Sequence, residues 1–205
     1  MDDLPCSEAS ERNKRPILDV LASLLSDRPQ RTFEIGSGTG QHATFFAAAH
    51  PQWAWQPSEQ PPNLDILKQR YQRSELQNIL PPISFEVGES MVTPGLHDAW
   101  DLVFTANTLH IMLPDRLPFF FNNANSLLKP QGLLVCYGPF MEQGEHNSVS
   151  NREFDAALKT QGCGGIPDIS QLEMLAEAND LRFQQQIEMP ANNRILVFQK
   201  IASFN

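Results

Sequence analysis

Short apolar runs alternate with segments of helical period along most of this chain. Ile17, Val20, Leu21, Leu24 and Leu25 recur at a spacing near 3.6, which predicts a helix over residues 13–26 with Pro16 in its first turn. Residues 31–35 read as a strand, 39–49 as a helix halted by Pro51, and 53–57 as a second strand delivering Ser58 and Glu59. A helix from about Asn63, with Leu64, Leu67 and Tyr71 on one face, leads to a third strand over 83–87. Residues 88–98 read as loop or weak helix. Residues 101–106 are almost continuously apolar, as strands buried on both faces of a parallel sheet are. From Pro114-Asp115 a helix carries Leu113, Leu117, Phe120, Ala124, Leu127 and Leu128, and Lys129-Pro130-Gln131-Gly132 ends it before a fifth strand over 133–137.

Beyond this point the alternation breaks. Residues 142–148 form a polar loop, and Ser150-x-x-Glu153 has capping-box form ahead of Phe154, Ala157 and Leu158. This extra helix marks 141–167 as a candidate lid insertion. Ser170-x-x-Glu173 repeats the capping pattern, and strands at 181–188 and 195–200 close the chain as a hairpin, the last strand antiparallel. The expected fold is α/β, with a mostly parallel sheet, right-handed crossovers and helices on both faces. A single domain over 1–205 is expected, with 1–26 as an N-terminal covering segment.

Composition narrows the function. The 205 residues are 41% apolar and 19% charged, ordinary for a globular domain with a full core. A net charge of −9 without a Lys/Arg cluster argues against a nucleic-acid partner. No apolar run reaches the ~18 residues of a membrane span, and Met-Asp-Asp-Leu-Pro-Cys, without a basic or apolar stretch, is not expected to act as a signal peptide. Cys6, Cys136 and Cys163 are scattered, without a CxxC, so neither a disulfide framework nor a metal site is expected and a cytoplasmic location is.

The candidate chemistry centres on residues 32–43. Glycines at 36, 38 and 40 alternate with Ser37 and Thr39 between a strand and a helix, so a ligand can approach the backbone and meet the helix N-terminus. The dinucleotide fingerprint is G-x-G-x-x-G; here the spacing is G-x-G-x-G and Glu34 precedes the first glycine by two. That E-x-G-x-G-x-G pattern resembles the first motif of class I S-adenosyl-L-methionine (SAM)-dependent methyltransferases. Glu59 falls 19 residues after Gly40, at the end of the next strand, where a carboxylate accepts from a ribose diol. Glu86, next to Val87 and with Glu89 as an alternative, ends the third strand where nucleoside sites place an acid for the adenine amine. Asn107 and His110 follow the fourth strand, on the side where ligands of open α/β sheets bind. Arg12 and Asn13 open the first helix, from which Arg12 is placed to pair with a cofactor carboxylate. His110, Tyr137 and His146 are the candidate bases. A flipped nucleobase is disfavoured as acceptor, because Asn107-Thr108-Leu109-His110 lacks the Asn/Asp-Pro-Pro-aromatic tetrad.

A closer likeness runs nearly the whole length. Ser10-Glu11-Arg12-Asn13-Lys14, Gly38-x-Gly40-Gln41-His42, Trp55-Gln56-Pro57-Ser58, Leu128-Lys129-Pro130, Tyr137-Gly138-Pro139, Asn151-x-x-Phe154-Asp155 and Met189-Pro190-Ala191-Asn192-Asn193 resemble the DUF938 family, of the methyltransferase-like protein 26 type. The resemblance implies the Rossmann-like seven-stranded methyltransferase fold, SAM as cofactor, and methyl transfer to an unassigned small-molecule or protein acceptor. Positions 59 and 86 are Glu where relatives commonly show Asp, a longer arm with the same chemistry. Two other readings are a SAM-binding regulatory or scaffold protein without turnover and, against the glycine spacing, a nicotinamide-dependent oxidoreductase.

Overall fold

The computed structural model describes residues 4–25, 28–89 and 95–202. The chain falls into two compact units, Met1–Glu86 with Trp100–Phe104, and Val87–Ala99 with Thr105–Asn205.

The first unit contains α1 (Glu8–Leu24), β1 (Gln30–Ile35), α2 (Gln41–Ala49), β2 (Trp53–Glu59), α3 (Leu64–Arg73), β3 (Ile83–Ser84) and most of β4 (Trp100–Ala106). β1 lies between parallel neighbours, pairing Gln30–Ile35 with Trp53–Ser58 on one side and Thr32–Glu34 with Leu102–Phe104 on the other. A strand so placed is buried on both faces, so Thr32 and Glu34 are as buried as Phe33 and Ile35. Phe46 of α2 meets Trp55 and Phe104 edge-on at centroid distances of 5.3 and 5.8 Å, the geometry the ring quadrupoles favour.

Three expectations change in this unit. α1 begins at Glu8, five residues before the expected start, because the Ser7 side chain caps it by accepting from the Ser10 N–H. Pro16 therefore sits inside the helix rather than in its first turn. β2 runs to Glu59, whereas β3 keeps only Ile83–Ser84 of the expected 83–87, paired with Ser58 and Glu59. Part of the 88–98 stretch, residues 90–94, lies outside the described residues.

The second unit continues with α4 (Leu117–Leu127), β5 (Leu128–Gly138), β6 (Met141–Glu142), β7 (Glu145–His146), α5 (Val149–Thr160), α6 (Ile169–Glu177), β8 (Leu181–Met189) and β9 (Asn193–Lys200). β9 is antiparallel to both β5 and β8, and the seven-stranded sheet runs β3-β2-β1-β4-β5-β9-β8. The mostly parallel α/β sheet with an antiparallel last strand is the expected fold class. Among the described residues no helix is long and apolar enough to cross a membrane.

Here too the sequence misleads locally. β5 begins at Leu128, not after Gly132, and Leu113 is half exposed rather than part of the apolar face of α4. Residues 142–148 are not all loop. Gln143 and Gly144 both take positive φ (55° and 80°), the two-residue hairpin turn that matches strand twist, and they join β6 to β7. Both expected capping boxes start two residues early. Ser148 caps α5 by accepting from the Asn151 N–H, and Asp168 caps α6 by accepting from the Ser170 N–H. Each pattern holds two capping residues, and the first in the chain takes the role.

Candidate functional site

The glycine turn after β1 belongs to the first unit. Gly36, Gly38 and Gly40 all have positive φ (73°, 53° and 76°), and Gly40 is the N-cap of α2 without a side-chain cap. At Gly38 a side chain would meet nothing within 4 Å, so the backbone there borders open space. At Gly40 it would lie 2.7 Å from Leu67 Cδ1 of α3, so the positive φ favours glycine and a side chain there would also displace Leu67. Ser37 ties the turn to β2: its N–H donates to the Ser58 carbonyl (2.9 Å) and its Oγ accepts from the Ser58 N–H (3.1 Å).

Glu59 ends β2 beside that open backbone. Its carboxylate is buried, with one oxygen accepting from the Gly38 N–H (2.7 Å) and the other from the Gln60 N–H (2.9 Å). Each carboxylate oxygen has capacity for a second donor. Glycine backbone open to a ligand, flanked by a carboxylate with unused acceptor sites, fits a nucleoside with a ribose diol.

Beneath the turn lies a polar cluster that the sequence does not announce. Glu34 is 1% exposed and accepts from the Trp55 indole N–H at 2.9 Å. Burial pushes its carboxyl up to about 7, against hydrogen bonds from Trp55 and Ser37, with the Glu59 charge adding to the rise. His42 sits with Nδ1 4.0 Å from Glu34 Oε1 and Nε2 2.7 Å from Asn13 Oδ1. Burial lowers His42 to about 4, so the ring is neutral at pH 7. Asn13 is thus buried and joined to α2. Arg12 is not brought into this group: it is exposed and paired with Glu8 at 3.4 Å along the same helix.

These shifts have opposite consequences. Between about pH 4.5 and 7 the folded chain keeps a proton on Glu34 that the unfolded chain has lost, so this group removes about 1.4 kcal/mol of stability per rising pH unit. His42 and His110, both lowered to about 4, act the other way: the unfolded chain binds protons that the folded chain refuses, and stability grows from pH 4 to 6.5. Glu34→Gln removes the opposing contribution. Urea unfolding at a series of pH values should show stability rising more steeply in that variant between pH 4.5 and 7, by up to about 1.4 kcal/mol per unit. Equal slopes would mean that Glu34 is ionised throughout.

The N-terminal segment is fastened to the glycine turn. Gln41 Oε1 accepts from the Ser7 N–H and the Thr39 hydroxyl, while Gln41 Nε2 donates to Glu11 Oε1. Arg70 of α3 donates to the carbonyls of Thr39 and Pro5. Gln41, His42 and Arg70 were not among the sequence-read candidates. Gln41-His42 stands in a family signature, whereas no local pattern marks Arg70.

Other candidates lie elsewhere. Glu86 is exposed and lies beyond the end of β3 rather than ending it, while Val87 in the second unit is buried. Asn107 holds a positive φ of 57° with its N–H donating to the Tyr137 carbonyl (2.9 Å). A side chain at Gly138 would lie 3.9 Å from both Asn107 Oδ1 and His110 Nδ1, so Asn107, His110 and the end of β5 converge. His110 is buried, which lowers it to about 4, and Phe154 of α5 meets its ring edge-on at 5.3 Å. His146 pairs instead with Asp155, its Nε2 3.1 Å from Asp155 Oδ2.

A family model described as "Protein of unknown function (DUF938)" matches residues 4–200. The chain belongs to the DUF938 family. Among solved structures, this DUF938 protein is similar to human N-acetylserotonin methyltransferase in complex with SAM, at TM-score 0.79 and 17% identity, over 95% of this chain and 53% of that one. An O-methyltransferase family 2 protein from Planctomyces limnophilus in complex with apigenin matches at TM-score 0.77 and 13% identity, over 94% of this chain and 60% of that one. An O-methyltransferase family protein from Burkholderia thailandensis matches at 0.75 and 18%, over 96% and 59%. The DUF938 chain spans about half to three-fifths of these proteins, and at such identities the likeness establishes the fold.

Proposed function

We propose that this chain is a SAM-dependent methyltransferase. The observation that carries the reading is Glu59: a buried carboxylate bonded to the Gly38 and Gln60 N–H groups, with acceptor capacity left beside an open glycine backbone. That arrangement suits a ribose, and structures of this fold include a SAM complex. When bound, SAM supplies an electrophilic methyl carbon on a sulfonium. Gly36, Ser37, Gly38 and Gly40 offer backbone to the nucleoside, and Glu34 and Asn13 hold the turn from beneath.

On the acceptor side we propose His110 as the group that receives a proton. It is neutral at pH 7 because of its burial, and no hydrogen bond to either ring nitrogen occurs among the described residues. A neutral imidazole accepts the proton of a hydroxyl, thiol or ammonium group as that group becomes a nucleophile; general bases contribute about 10²–10⁴ in rate, and burial that lowers His110 to about 4 puts it at the low end. Tyr137 and His146 are the next residues to substitute.

Isothermal titration with SAM and with its demethylated product tests the cofactor. Micromolar binding, about −8 kcal/mol, is the expected result, with a matching thermal shift. Neither heat nor shift with either compound would overturn the reading. Binding without methyl transfer across a metabolite and peptide panel would favour a regulatory SAM-binding protein.

A further inference from the structure

Within the second unit, an open surface depression of about 270 Å³ is lined by Glu145, His146, Asn147, Ser148, Val149 and Arg152. This lies just under the range of about 300–1,000 Å³ typical of small-molecule sites. Its walls carry both signs of charge. The Arg152 and Glu145 side chains are exposed, and neither is in an ion pair or side-chain hydrogen bond among the described residues. A cation and an anion that share a depression without neutralising each other form the receptor half of a double ion pair.

His146, which also lines the depression, is held in place. Asp155, itself buried, accepts from His146 Nε2 (3.1 Å), Lys159 Nζ (2.8 Å) and the Ile166 N–H (2.7 Å). These bonds outweigh burial and hold its carboxyl below the usual range. An ionised carboxylate only accepts, so Nε2 carries a hydrogen in this pair and the ring is held in one orientation. The loop that bears these groups is anchored too: Asn147 and Asn151 both donate to the Asn192 carbonyl (3.0 Å each), which joins two of the family signatures. Val149, 61% exposed, adds an apolar wall.

We propose that this depression binds a small zwitterion, a molecule carrying both a carboxylate and an ammonium group. Arg152 pairs with the carboxylate and Glu145 pairs with the ammonium. A simple anion of the same size meets Glu145 as a like charge, and a simple cation meets Arg152, so the depression discriminates by repulsion as well as attraction. This binding preference stands independently of the methyl-transfer reading above.

The test is a ¹H–¹⁵N NMR titration of the full chain with three probes: L-leucine, L-leucinamide (ammonium only) and N-acetyl-L-leucine (carboxylate only). Leucine should shift the amides of residues 145–152 and bind at least about tenfold more tightly than either analogue. Arg152→Gln should weaken leucine to the level of leucinamide, and Glu145→Gln to the level of the N-acetyl compound. Both side chains are exposed, so neither change threatens the fold. Equal binding of the three probes, shifts confined to other residues, or indifference to both substitutions would overturn the proposal. SAM titration of the same variants separates the two readings: a chain that binds leucine at 145–152 but never SAM keeps this site and loses the methyltransferase.

Discussion

Replacing Glu59 with alanine should weaken SAM binding by at least about a hundredfold. The carboxylate is 8% exposed, and each oxygen already meets one backbone N–H, from Gly38 at 2.7 Å and from Gln60 at 2.9 Å. A ribose diol adds one hydroxyl donor to each oxygen. Hydrogen bonds to a charged group contribute about 1.5–3 kcal/mol apiece, and a factor of ten is about 1.4 kcal/mol, so two such bonds exceed a hundredfold together. Alanine also leaves the Gly38 N–H without its acceptor, which costs stability of about 1–3 kcal/mol. Glu59→Gln separates these effects. Its amide oxygen still accepts one N–H, so the turn survives while the charge is gone, and affinity falls by roughly tenfold. Calorimetric titration of both variants reads the difference, and an alanine variant within threefold of the parent would remove Glu59 from the binding site.

The second large effect is on stability. Gly164→Ala should lower the melting temperature by about 6–12 °C, corresponding to about 3 kcal/mol for a chain of this size. A Cβ at position 164 would fall well inside van der Waals contact with the Met112 carbonyl oxygen, with the Met112 carbonyl carbon at 3.0 Å and Leu113 Cα at 3.3 Å. All three are backbone atoms, so no side chain can swing away. The loop must instead retreat from the turn after β4, which strains the neighbouring bond from the Gly165 N–H to the His110 carbonyl (3.0 Å). Gly88→Ala is the control, because its nearest neighbour is the flexible Arg116 Nη1 at 3.8 Å. Differential scanning calorimetry should show that variant melting within a degree or two of the parent. Similar melting of both would mean that residues 162–166 pack more loosely than the geometry indicates.

The caps show how far local pattern reaches. Ser150-x-x-Glu153 and Ser170-x-x-Glu173 do announce helices, yet the capping atoms belong to Ser148 and Asp168. A sequence offering two capping residues per helix names the helix without naming its first turn. His110 is similar: its place after an apolar strand marks it, but its contact with Phe154 comes from α5, more than forty residues on. Arg70 carries no local mark, since its bonds to Thr39 and Pro5 arise only once α3 packs against the glycine turn.

By itself, the order of apolar and polar residues determined the alternation of strands and helices, the positive-φ glycine positions and the acid at 59. Each depends on neighbours within a few residues or on the chain length of one crossover. Only the tertiary structure decided that Asn13 reaches His42, that Glu34 is sealed under Trp55, that Arg12 faces water, and that Asp155 holds His146. Those pairings are selected by which faces exclude water when distant segments pack, and a one-dimensional pattern carries no record of that choice.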